Sequence, residues 1–211
     1  MSGSVPVANA LADIYPKSAV LTQGPRWNHL LETFAGHFGS QASFVSRSPG
    51  RVNIIGEHID YSLYSVLPMA ITADAILAVA AKPSSSSDSF TIRLANVQPE
   101  KFAATEFTFP VDSEVEIDAT KFDWTNYFKA GLRGALGLLR KKKGQGFHPV
   151  NMEVMMDGNV PVGGGLSSSA AFVSASALAV MFANGENLVD KKELTELAIV
   201  SERAVGVNSG G

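Results

Sequence analysis

The sequence predicts an α+β or mixed α/β fold, and three observations carry that reading. Short apolar runs of strand length crowd the first half of the chain. Segments with apolar residues at helical spacing stand near the start, past the middle and at the end. Between a strand-like run and a helix of small residues lies "VPVGGGLSSSAAF", Val160 to Phe172, with three successive glycines and three successive serines.

In chain order, the first element is a helix around "RWNHLLETFAGHF", which sets Trp27, Leu30, Leu31, Phe34 and Phe38 on one face. Residues 1–40 are read as a lead-in helix region and 41–211 as the main domain. "ASFVSR", "RVNII", "SVLPMAI", "AILAVAA" and "FTIRLA" read as strands or buried extended runs, and "KPSSSSDS" as a polar turn. "DWTNYFKAGLRGALGLLRKKK" reads as a helix capped by Asp123, with Arg140 to Lys143 complementing the macrodipole at its end. "MEVMMDG" is a strand. The glycine stretch follows, then a helix from about Ser168 to Phe182 and a last one from about Lys191 to Val205. Leu194, Leu197 and Val200 of that last helix are expected to be exposed. Strands are thus expected to lead and helices to follow.

Composition narrows the function. Of 211 residues, 45% are hydrophobic, enough for a sizeable core; 18% are charged, with a net charge of -3. That balance makes no electrostatic case for nucleic acid or an anionic membrane surface. Absence of cysteine excludes disulfides, thiolate metal sites and cysteine nucleophiles. His29, His37, His58 and His148 are scattered without ligand spacing, so zinc is not expected. "MSGSVPVANALADIYPK" lacks the basic start and apolar core of a signal peptide, and no apolar run has membrane-spanning length. A cytoplasmic protein is the expectation.

Strand, glycine loop, helix is the order of an anion cradle. A helix N-terminus exposes unpaired N–H groups and partial positive charge, and glycines let backbone approach a phosphate closely. The serines can cap the helix, donate hydroxyls or ligate a metal. No lysine follows the glycines, so the pattern is not Walker A, and the Rossmann spacing does not fit. Alone, such a loop is equally a tight turn with a serine cap. A second segment shifts the balance. "SPGRVNIIGEHIDYSLYSVLPMAI" packs Arg51, Glu57, His58 and Asp60 between strand-like runs. Carboxylates beside a histidine suit the neighbouring hydroxyls of a sugar, and an arginine suits a phosphoryl group or a carboxylate.

Together these segments resemble the galactokinase family of the GHMP small-molecule kinase superfamily. "GRVNIIGEHIDY" is similar to the galactokinase signature, and "PVGGGLSSSAA" to the superfamily's phosphate-binding motif. "DWTNYFKAGL" and "SERAVGVNSGG" carry the likeness further, so that it runs from about Phe44 to Gly211. The resemblance implies the α+β fold of the GHMP kinase N-terminal domain, a mixed sheet with packed helices, with "ASALAVMFA" in its central helix. It implies a sugar 1-kinase that uses ATP and Mg²⁺ on galactose. Glu57, His58 and Asp60 match sugar-binding residues, and Arg51 matches an arginine beside the catalytic base and the transferring phosphoryl group. Gly163, Gly164, Gly165, Leu166, Ser167, Ser168 and Ser169 match the ATP-binding loop. Ser169 and Glu202 match metal ligands, Glu202 on spacing within a helix alone. The family's catalytic aspartate is expected just past Gly211, and its C-terminal domain beyond that, so these residues by themselves are expected to be inactive.

Two other readings stand beside it. N-acetylgalactosamine kinases share "GRVNIIGEHIDY", "DGNVP" and "SER", whereas "PVGGGLSSSAAF" leans towards galactose. Some yeast relatives are sugar-sensing co-inducers that bind a transcriptional repressor and have lost a Ser-Ala pair from the serine run. Here "SSSAA" is whole, which favours a kinase. No nucleic acid or membrane partner is expected.

Overall fold

The computed structural model describes residues 3–56, 59, 62, 64–84, 86–121, 123–144 and 146–206. A short 3₁₀ turn at Leu11–Asp13 precedes α1 (Lys17–Phe38), β1 (Phe44–Ile55), β2 (Leu67–Lys82), β3 (Ser89–Asn96) and β4 (Thr105–Pro110). Then come α2 (Thr125–Lys143), β5 (Asn151–Gly158), α3 (Ser168–Ala183) and α4 (Lys191–Arg203). The strands form one mixed sheet in the order β1-β2-β5-β3-β4, with only the β3–β5 pair parallel.

The sheet is covered on both faces, which explains the unbroken apolar run in β2. Ala75, Leu77 and Val79 face α2 and α3 together with Phe90, Ile92, Leu94, Met152 and Val154. Ile76, Ala78 and Ala80 face α1, where Leu30 and Phe34 are fully buried and Trp27, Leu31 and Phe38 pack alongside. The helical face read from the sequence is therefore the packed one, although α1 begins nine residues earlier, at Lys17 against Arg26.

Several elements differ from expectation. α1 leads the chain and α2 interrupts the strands, so the strands do not simply come first. "ASFVSR" and "RVNII" are one strand, with register shifts at Pro49/Arg51 and Asn53/Ile55 rather than a break. β1 lies at the sheet edge, where a proline is tolerated. "SVLPMAI" and "AILAVAA" likewise join as β2. β5 pairs only with Ala75–Lys82, so the segment holding Pro68 has β1 on one side alone. β4 was not expected. Its alternation, with Phe107 and Phe109 towards the core, is that of a half-buried edge strand. In α4, Leu194 and Leu197 pack against the core and only Val200, 66% exposed, is left outside.

Local chemistry accounts for the helix ends. The Asp123 carboxylate accepts from Thr125 N at 2.9 Å, so it caps α2 although Trp124 stands next to the helix. The basic run does more than oppose a dipole. Arg140 donates to the carbonyls of Val111 and Ser113, Lys142 pairs with Glu186 and Glu193, and Lys143 donates to the Asn184 carbonyl. Those cations staple α2 to its neighbours.

α3 is the central helix. Its small residues allow close approach on two sides. Ser46 Oγ of β1 donates to the Ala175 carbonyl at 2.7 Å. A Cβ at Gly131 of α2 would stand 2.7 Å from the Val173 carbonyl oxygen, so only glycine fits there.

Candidate phosphate and metal site

The loop between β5 and α3 takes its shape from three left-handed residues. Gly163 and Gly165 have φ of 74° and 68°, which glycine adopts without strain. Ser167 has φ 59° and ψ 46°, and is the one non-glycine residue with positive φ among the described residues. That conformation costs an L-residue about 1–2 kcal/mol. Ser167 stands at the N-cap of α3, yet its hydroxyl makes no capping bond. The expected serine cap is replaced by backbone geometry: the Ser167 carbonyl starts the helix by accepting from Ala171 N at 3.0 Å. Gly163, Gly164 and Gly165 are exposed, and the first amides of α3, from Ser168 on, are left without intrahelical partners, as at any helix start.

Leu166 holds this loop against the sheet. Its side chain packs on the main core, and its carbonyl accepts from the Arg51 amide at 3.0 Å. The approach requires a bare backbone at Gly50, where a Cβ would lie 2.9 Å from that same carbonyl oxygen. Arg51 is thereby brought to the loop from β1. Trp124, just before α2, stacks on Phe172 in α3 with ring centroids 6.1 Å apart.

Ser169 and Glu202, far apart in sequence, meet between α3 and α4, where the serine hydroxyl donates to the carboxylate. Glu202 is 1% exposed. A hydroxyl and a carboxylate meeting at the start of a helix that follows a glycine loop are hard oxygen donors of the kind Mg²⁺ takes when phosphates complete its shell. Glu57, His58 and Asp60 lie outside the described residues.

One polar cluster escaped sequence reading. Asp74 is fully buried in β2, and its carboxylate accepts from Arg26 at 2.5 Å, Arg47 at 2.6 Å and Tyr15 at 2.5 Å. Burial opposes the Arg26 charge, but hydrogen bonds and attraction from Asp74 and Asp157 outweigh it and hold the guanidinium above its ordinary value. Burial, with the bond to Asp74, pushes the Tyr15 phenol up. The available signal was a lone aspartate within the apolar run "ITADAILAVAA".

Comparison with known proteins agrees with this geometry. A model described as the galactokinase galactose-binding signature matches residues 32–81, and one for the GHMP kinases N terminal domain matches residues 126–211. A galactokinase of Schizosaccharomyces pombe is 45% identical over 192 residues, covering 88% of this chain and 36% of that protein. One of Candida maltosa is 41% identical over 187 residues, covering 88% of this chain and 83% of that protein. The chain thus spans little more than a third of the first relative's length and most of the second's. The crystal structure of Lactococcus lactis galactokinase complexed with galactose superposes with a TM-score of 0.64 at 28% identity, over 87% of this chain and 44% of that one. With the signature strand, the glycine loop and the sheet all matched, the chain belongs to the galactokinase family of GHMP kinases.

Proposed function

We propose that this chain supplies the nucleotide- and sugar-binding part of a galactokinase, which transfers the γ-phosphate of ATP to the anomeric hydroxyl of galactose and yields galactose 1-phosphate. The supporting observation is the Arg51–Leu166 hydrogen bond, which joins the signature strand to the glycine loop.

Phosphoryl transfer depends mainly on positioning and on stabilising charge. The amides of Gly163 to Ser168 hold the β- and γ-phosphates, with the left-handed turn at Ser167 aiming the start of α3 at them. Leu166 contributes by anchoring the loop. The Arg51 guanidinium stabilises charge on the transferring group. Glu57, His58 and Asp60 bind the sugar hydroxyls and orient the anomeric oxygen for in-line attack. Ser169 and Glu202 would hold Mg²⁺, which when bound neutralises charge on the phosphate oxygens.

The test is a sugar panel assayed for ATP consumption with the protein that carries this chain. Galactose-dependent turnover is expected; turnover with N-acetylgalactosamine and none with galactose overturns the substrate. Asp60→Ala is expected to weaken galactose binding by about 1.5–3 kcal/mol, the worth of a hydrogen bond to a charged group, and to spare ATP. Lost ATP affinity with intact galactose affinity would reassign that residue.

A further inference from the structure

The cluster around Asp74 takes no part in the chemistry above. We infer that Arg26, Asp74 and Asn159 are positioning residues for the phosphate loop, so that α1 belongs to the scaffold of the nucleotide site; this rests on reading that loop as a phosphate cradle.

The loop is tied down at two points, and both lead to Asp74. At its far end, Leu166 is held by Arg51. Arg51 follows Pro49 and Gly50, and Pro49 is paired with Asp74 across β1 and β2. At its near end, Asn159 leads into Pro161 and the glycines. The Asn159 amide donates to the Asp74 carbonyl at 3.1 Å, and its side-chain oxygen accepts from the Asp74 amide at 2.7 Å. A shift of Asp74 would therefore move both ends of the loop.

Arg26 fixes Asp74 in turn. From α1 its Nε donates to the Asp157 carboxylate at 2.7 Å, and one terminal nitrogen donates to the Asp74 carboxylate and to Gln23. The other donates to the backbone carbonyls of Asp74 and Asp157 at 3.2 and 3.3 Å. All five guanidinium donors are engaged, four of these bonds gripping Asp74 in the middle of β2 and Asp157 at the end of β5, just before the loop. Plain adhesion of α1 to the sheet is already provided by Leu30 and Phe34, whose contacts are apolar and non-directional. The guanidinium adds direction, because its planar fork accepts one orientation of its partners.

Three variants of this chain test the inference: Asn159→Ala, which removes the side-chain acceptor for the Asp74 amide; Arg26→Lys, which keeps the charge but not the fork; and Phe34→Leu, which loosens α1 without touching the cluster. The readouts are melting temperature, ¹⁵N order parameters of residues 163–169 without nucleotide, and MgATP affinity by calorimetry. Asn159→Ala and Arg26→Lys are expected to lower order at the loop selectively and to weaken ATP binding about tenfold, the equivalent of one hydrogen bond. Phe34→Leu is expected to lower the melting temperature and leave loop order and affinity unchanged. Unchanged loop order in Asn159→Ala, or affinity that simply tracks melting temperature across all three, overturns the inference. Should the parent chain bind no ATP, the phosphate reading fails, while the order parameters still decide whether the cluster positions the loop.

Discussion

Gly50→Ala puts the contact between the signature strand and the glycine loop to the test. The added Cβ would stand 2.9 Å from the Leu166 carbonyl oxygen, 3.0 Å from Val160 Cγ1 and 3.2 Å from Ile71 Cδ1. The two side-chain ends can yield, but the carbonyl belongs to the loop backbone and accepts from the Arg51 amide. Gly50 does not have positive φ, so the cost is contact alone. Overpacking costs about 1–3 kcal/mol, and loss of the hydrogen bond adds about 0.5–1.5 kcal/mol. For a chain of this size each kcal/mol lowers the melting temperature by about 2–4 °C, so a drop of roughly 3–18 °C is expected. Displacing Leu166 also moves the cradle, so MgATP affinity should fall. Gly137→Ala is the control. It lies within α2 with nothing within 4 Å of the added atom, and alanine there should stabilise by about 0.5–1 kcal/mol without altering ATP binding. Melting curves and calorimetry on both variants decide. A Gly50→Ala chain that melts with the parent and binds ATP equally well would refute the reasoning.

Further outcomes follow from the same site and sheet. Glu202→Gln removes a charged oxygen from the proposed metal pair; the gain in ATP affinity on adding Mg²⁺ should shrink while Mg²⁺-free binding holds, and an unaltered Mg²⁺ effect would count against the ligand role. Ser167→Val should cost about 1–2 kcal/mol or more, because a β-branched side chain resists the left-handed region, while Ser167→Gly should not destabilise; equal melting of parent and valine variant would show that the turn adapts. Burial pushes the Glu153 carboxyl up, but hydrogen bonds from Lys82 and Ser40 and attraction from Lys82 and Arg93 outweigh it and hold it below its ordinary value. Its contribution is therefore complete above the unfolded-state pKa and lost as pH falls through the lower folded-state value. Glu153→Gln should reduce denaturant resistance at neutral pH, with the difference closing in acid; a gap of constant size down to the acid limb would refute this.

Much of the fold and the site was legible because it rests on local pattern. Trp27, Leu30, Leu31, Phe34 and Phe38 mark the buried face of α1 by spacing alone. The order of strand, glycine loop and helix was legible because glycine spacing and helix ends act within a few residues. Glu202 was reachable through spacing in "SER" only once the resemblance supplied a role for it. Other features depend on residues distant in sequence and carry no local mark. Whether "ASFVSR" and "RVNII" are one strand or two depends on what lies beside Pro49, and its edge position permits continuity. β4 has too weak a signal by itself and becomes a strand by pairing Phe107 with Ile92 and Phe109 with Phe90. Likewise, the left-handed turn at Ser167 stands next to Leu166, whose carbonyl is held by the distant Arg51 amide. The sequence by itself thus determined the helical faces, the apolar strands and the glycine loop between strand and helix. Tertiary structure alone decided that Ser169 would meet Glu202 and that a lone aspartate in β2 would gather Tyr15, Arg26 and Arg47. A buried carboxylate must find donors wherever the folded chain brings them, and that choice is made by packing rather than by neighbours in sequence.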